Sequence, residues 1–452
     1  MSFLALCLSG HAQISISLPE ANIVSRSDYT ITLNSGTFSS LIGLLPTISV
    51  RANQSSFTST VGESNTVPLN TAHIRLRSIG SLSLLGSSSE VTLSTSYSTL
   101  YTALANLSSG AILADYRIST ASNTWVAGTY STPIQFNSTG GGSISPSTPN
   151  LNLTVPAFIS SSAVGDVLLN VNNLSYFRTA DGIAANKSIV VSTTVPYMLA
   201  LRAESGQFAF STSYTYNQLP SINVNTVQVL LSSISGSTSI TLSNAAQSLT
   251  PATGIAVPTN NNQTLTANFA VNGANLKSYF AQAGTYTIPL TYTWNKPTSA
   301  YPTGPLTTSS TGNLFVQVSD LAELVLNGTA LNLVFDDPDD YIMGLAVEMP
   351  SNLRLSKTTP YNLSVRATSD AFNNGSEQIP LSVMQIGPGS GQNGINTVSL
   401  TNTDQLLISG ANPIVDRTLN LRYTIPASQT QNLLNKPSGT YMATVVFSLV
   451  GL

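Results

Sequence analysis

The stretch Ser438-Gly439-Thr440-Tyr441-Met442-Ala443-Thr444-Val445-Val446-Phe447-Ser448-Leu449 places apolar side chains at every second position from Tyr441 onward. Tyr441, Ala443, Val445, Phe447 and Leu449 therefore share one face of a β-strand, in which successive side chains point to opposite sides. The same opening occurs twice earlier, as Ala127-Gly128-Thr129-Tyr130 and Ala283-Gly284-Thr285-Tyr286. Four positions after each tyrosine comes an aliphatic residue (Ile134, Leu290, Val445), and six after it an aromatic one (Phe136, Tyr292, Phe447). The three glycines are roughly 155 residues apart.

Two further blocks recur in the same order. An Arg-Ala pair with a phenylalanine six positions after the arginine appears as Arg51/Phe57, Arg202/Phe208 and Arg366/Phe372, each after a proline (Pro46, Pro196, Pro360) and an apolar run. Between that block and the Gly-Thr-Tyr block lie Val91-Thr92-Leu93, Ile240-Thr241-Leu242 and Val398-Ser399-Leu400. Solenoid repeats are about 20–50 residues long, so this period belongs to a string of whole domains. Period-two alternation recurs at Ile14, Ile16 and Leu18 and at Leu421, Tyr423 and Ile425, whereas helical periodicity is confined to the short segment 276–283. Short alternating strands punctuated by Gly, Asn, Ser and Pro predict an all-β chain of three tandem immunoglobulin-like (pilin-like) β-sandwich domains. Two tracts rich in Gly, Ser, Thr and Pro, 137–150 and 296–313, read as linkers. They divide the chain into domains over 13–136, 151–295 and 314–452.

Composition narrows the function. Only 8% of the 452 residues are charged, while 42% are hydrophobic, so a core is available and the surface is built from hydroxyls and amides. The net charge of −3 leaves no basic stripe for a nucleic-acid partner. No apolar run reaches the ~18 residues needed for a membrane span. Residues 1–12 end in small residues, Gly10 and Ala12, after the apolar run 3–8, and read as the remnant of a secretory signal peptide. Cys7, the one cysteine, lies in that segment, so the exported chain would hold no disulfide and no thiolate site.

The Gly-Thr-Tyr strand with its alternating apolar residues resembles the closing strand of bacterial fimbrial subunits and spore-coat-U-type pilin domains. The wider unit, from Pro360-Tyr361-Asn362-Leu363-Ser364-Val365-Arg366-Ala367 to Ser438-Gly439-Thr440-Tyr441, is similar to repeats of exported surface proteins of Bacteroidetes-type bacteria. The resemblance covers residues 14–449 in three copies. It implies a secreted, extracellular or cell-surface protein, structural rather than enzymatic.

The first repeat is about 14 residues shorter than the others between its first strand and its arginine. A sandwich short of a strand offers an open edge to another chain. This suggests strand exchange through the first unit, with Ile14, Ile16 and Leu18 as the candidate assembly strand. The partners expected are further copies or other surface subunits meeting at β-edges.

Chemistry is sparse. His73 alternates with apolar residues in Ala72-His73-Ile74-Arg75-Leu76-Arg77, as an ordinary strand side chain would, and no catalytic residue is assigned. Asp336, Asp337, Asp339 and Asp340 form the densest acidic cluster, a weak candidate for calcium and a better one for a solvated turn. No cofactor is expected. Arg51, Arg202 and Arg366 read as structural groups satisfying carbonyls at a sandwich end. The leading functional expectation is a filament or fimbrial-like subunit. The alternative is an adhesin or carbohydrate-binding surface protein, which would need a glycan cleft with an exposed Trp125 or Trp294.

Overall fold

The computed structural model describes residues 13–40, 44–104 and 107–452. The candidate export segment 1–12, with Cys7, lies outside the described residues. The described chain is all-β, with strands arranged in face-to-face sheets around three apolar clusters. Among the described residues no helix is long and apolar enough to cross a membrane.

Around the first cluster one sheet runs Gln13–Ser17, Asn150–Val155, Gly128–Thr139, Thr47–Ala52, Ser98–Thr102. Facing it is a sheet ordered Ser143–Ser145, Tyr29–Ser39, Gly110–Ile118, Ala72–Ile79, Leu82–Ser83. The second cluster repeats the plan: Val167–Val171, Thr307–Val318, Gly284–Asn295, Met198–Ala203 and Gln247–Ser248 form the first sheet. Alternation decides which face is buried. Tyr130, Ile134 and Phe136 point inward at 2% exposure or less, as do Tyr286, Leu290 and Tyr292.

The two tracts read as linkers lie inside the units. Residues 137–139 continue the Gly-Thr-Tyr strand, Ser143–Ser145 pairs with Tyr29–Ser39, and Thr307–Val318 begins within 296–313. Each tract turns the chain back so that the strand after it lies against the Gly-Thr-Tyr strand. The segment expected to open the second unit, Asn150–Val155, therefore completes the first: Leu151, Leu153 and Val155 belong to the first apolar cluster.

This placement corrects the expectation of an open first unit. Ile14, Ile16 and Leu18 are 3%, 1% and 1% exposed, and Gln13–Ser17 pairs in parallel with Asn150–Val155 of the same chain. The apparent shortfall comes from counting Asn150–Val155 and Thr307–Val318 into the units that follow them; measured from the opening strands Gln13–Ser17 and Val167–Val171, the arginines lie at similar distances. The second and third units carry an extra edge strand, Ile159–Ser161 and Ala322–Leu326, with no counterpart among the described residues of the first. Ser143–Ser145 covers the equivalent edge of the first unit instead.

Successive units touch through a repeated contact. The N–H of the residue before Gly-Thr-Tyr donates to a threonine carbonyl of the next unit, Ala127 to Thr194 at 2.8 Å and Ala283 to Thr358 at 2.7 Å. Ala127 and Ala283 are buried as a result, and Ala127 joins the second cluster.

Candidate functional site: an incomplete sandwich edge

In the first two units the Gly-Thr-Tyr strand has a neighbour on each side. The inserted strand runs antiparallel to it and parallel to the strand that opens the unit. In the first unit Leu153 lies opposite Tyr130 and beside Ile16, and Val155 lies opposite Gly128. In the second, Val316 lies opposite Tyr286 and beside Leu169, and Val318 opposite Gly284 and beside Val171. The inserted strands share a pattern, Asn150-Leu151-Asn152-Leu153-Thr154-Val155 and Asn313-Leu314-Phe315-Val316-Gln317-Val318. Their apolar residues at alternate positions fill the slot between two sheet neighbours.

The third unit has no such strand among the described residues. Its first sheet holds Gln405–Ala411, Tyr361–Ala367 and Val445–Gly451, and ends there. Both elements that would flank the missing strand have lost strand geometry. Residues 439–444, whose counterparts begin strands at Gly128 and Gly284, are irregular apart from a bridge between Met442 and Asn373. Residues 331–335, which precede the short helix Pro338–Met343 as Gln13–Ser17 precedes the helix Glu20–Ser25, belong to no strand. Unpaired backbone N–H and C=O groups have no ladder to hold them extended.

Burial reports the same deficit. Leu331, Leu333, Phe335, Tyr441, Ala443, Val445 and Phe447 are only partly buried around the third cluster, although their counterparts in the other units are buried. Between the two loosened segments lies a groove of about 630 Å³, floored by Met384, Ile386, Leu400 and Tyr423 and walled by Leu331 and Tyr441. The local frame of the strand is nevertheless intact. Tyr441 Oη donates to the Pro437 carbonyl at 3.0 Å, as Tyr130 does to Val126 and Tyr286 to Gln282, both at 2.8 Å. Burial pushes the hydroxyls of Tyr130 and Tyr286 up from their ordinary pKa. Gly439 keeps the glycine backbone of its counterparts, with φ 152° against 154° and 150°. A Cβ on Gly128 would sit 2.5 Å from the Val61 carbonyl oxygen, so the neighbouring strand requires glycine there.

The other residues singled out in the sequence take structural places. Asp337 caps the helix Pro338–Met343, accepting from the Asp339 N–H at 2.9 Å. Asp340 accepts from the N–H groups of Asp336 and Asp337 at 3.2 and 3.1 Å. Among the described residues no three His, Cys, Asp or Glu side chains are grouped to hold a metal. His73 lies between Thr92 Oγ1 at 3.1 Å and Ser119 Oγ at 3.3 Å, and burial, with Arg117 nearby, lowers its pKa. The recurring arginines bond side chains rather than carbonyls: Arg51 reaches Gln135, Arg202 reaches Glu204, and Arg366 faces Asp404. Trp125 and Trp294 are 1% and 0% exposed, so neither presents a face to a sugar ring.

No protein-family model matches this sequence, and no curated protein matches it either. Among solved structures, the chain is similar to a chaperone–tip adhesion subunit pre-assembly complex from archaic chaperone-usher Csu pili of Acinetobacter baumannii. That match has 15% identity over 64% of this chain and 99% of the other, with a TM-score of 0.32. The adhesive subunit of CFA/I fimbria of enterotoxigenic Escherichia coli matches at 10% identity, 68% and 98% coverage and a TM-score of 0.29. A family 123 glycoside hydrolase from Clostridium perfringens matches at 12% identity over 36% of this chain and 27% of that one, with a TM-score of 0.19.

Proposed function

We propose that this chain is an exported, non-catalytic surface-assembly subunit whose third sandwich is completed by a β-strand that the described residues do not supply. On this reading it comprises three sandwich units with boundaries at 156–158 and 319–321. The observation that carries the reading is the vacant strand position, bounded by 331–335 and 439–444, in a chain that fills the same position twice with its own strands. The occupant is an extended segment with apolar side chains at alternate positions, running antiparallel to Val445–Gly451. Main-chain hydrogen bonds supply its affinity and alternate side chains its specificity. In the register of the first two units its apolar residues face Gly439, Tyr441 and Ala443.

The adhesin reading stands second. It gains nothing from the tryptophans, which are buried.

The test adds a synthetic peptide with the sequence of residues 313–318 to the intact chain. Peptide at about 100-fold its dissociation constant stabilises the bound form by about 2.7 kcal/mol. One-to-one binding with a raised melting temperature is expected, together with loss of binding when the residue equivalent to Val316 is Asp. A chain whose melting curve is indifferent to the peptide at every concentration contradicts the proposal.

A further inference from the structure

The two internal junctions share a backbone contact but differ in the chemistry around it. At the first, the Asn261 side chain, 1% exposed, accepts from the Trp125 N–H at 2.8 Å and donates to the carbonyls of Trp125 and Thr193 at 2.6 and 2.8 Å. Every group in that contact is neutral. At the second, Asp416 occupies the equivalent place, at the start of the strand paired with the end of the unit's long edge-pairing strand. Both residues have a left-handed backbone, with φ 60° for Asn261 and 57° for Asp416, and both reach back toward the preceding unit.

Around Asp416 five charges from two units meet. Arg178 and Lys277 come from the second unit. Arg178 binds Asp416 at 2.7 Å and Glu323 at 2.5 Å, and Lys277 binds Asp416 at 3.2 Å. From the third unit Arg354 adds contacts of 3.3 Å to Glu323 and 3.5 Å to Asp416, and the Ser356 hydroxyl accepts from the Asp416 N–H. Lys357 pairs with Asp320 beside them. The Arg178 bond holds the Glu323 carboxyl below its ordinary pKa. Burial alone would raise Asp416, but the bonds from Arg178 and Lys277 outweigh it and leave it lowered.

We propose that the second junction is an ionic latch that opens in acid and in high salt, while the first is a neutral lock that stays shut. The sign follows from linkage: carboxyls lowered in the docked form strengthen docking above their ordinary pKa of about 4. That contribution is lost as pH falls through the lowered values. Protonation then leaves Arg178, Lys277 and Arg354 facing one another without counter-charges. Salt at about 1 M, with a Debye length of about 3 Å, weakens the same partly exposed pairs. The unit carrying the vacant strand position is thereby free to swing, and the first two units move as one body.

Paired spin labels on the full chain test this, in a Cys7→Ser background. Leu219→Cys with Leu434→Cys reports the second junction, and Leu85→Cys with Leu219→Cys reports the first. The expected result is a narrow distance distribution for both pairs at pH 7. The 219–434 distribution then broadens below about pH 4 and in ~1 M salt, with 85–219 unchanged. Arg178→Ala, and Asp416→Asn, which keeps a residue tolerant of left-handed backbone, broaden 219–434 at pH 7 without acid. A 219–434 distribution that stays narrow in both variants overturns the latch, and so does broadening of both pairs together.

Discussion

The Gly-Thr-Tyr tyrosines show how far a single residue can be read. Their recurrence marked them as structural, and each hydroxyl donates to the carbonyl four residues earlier. That bond needs a turn geometry that period-two alternation does not encode. Tyr286→Phe removes one such bond and is expected to cost about 1 kcal/mol in chemical denaturation. Tyr292→Phe in the same strand provides the contrast: its buried hydroxyl has no partner among the described residues, so its removal is expected to be neutral or slightly stabilising. Equal destabilisation by both would contradict this assignment. The recurring arginines read as structural groups, but two of their side-chain partners, Gln135 and Asp404, lie far off in sequence, and only Glu204 is close to its arginine. The acidic cluster was readable as a turn. Its specific duty is a cap, and Asp337→Ala is expected to lower stability by about 1 kcal/mol, with no calcium-dependent shift in melting temperature.

At the scale of elements, the strands that carried a repeated block were legible, and the two inserted strands were assigned to the wrong neighbours. Asn150–Val155 and Thr307–Val318 each follow a tract of Gly, Ser, Thr and Pro, which reads locally as a linker. Nothing in a strand's own alternation says which Gly-Thr-Tyr strand it will join, because pairing is decided by the slot it fills. The shared Asn-Leu-x-Leu/Val-x-Val pattern was the available signal. Its place after a turn-rich tract is the same behind Tyr130 and behind Tyr286. Val316→Asp puts a carboxylate opposite Tyr286 in a position that is 0% exposed. It is expected to destabilise the chain by about 3 kcal/mol or more. Asp at Gln317, which is exposed on the same strand, is expected to stay within about 0.5 kcal/mol of the native chain by the same denaturation assay.

For the whole molecule, composition and repetition carried the all-β architecture, and the vacancy emerged only from comparing three units in space. A single sandwich with a loose edge would be unremarked; the same edge beside two filled ones identifies what is missing. Length alone pointed to the first unit, because an apparent shortfall was visible in sequence, whereas Ser143–Ser145 and Asn150–Val155 supply that unit's strands from beyond its expected end. On the proposed reading the third unit is the least stable part of the chain when alone, since its flanking segments have few backbone ladder bonds among the described residues. Hydrogen exchange on the intact chain, with and without the peptide of residues 313–318, tests this most directly. The account predicts that amides of 439–444 exchange fast in the chain alone and become protected with peptide, while 128–133 and 284–289 are slow throughout. Amides of 439–444 already as protected as their counterparts, or unchanged by saturating peptide, would contradict it.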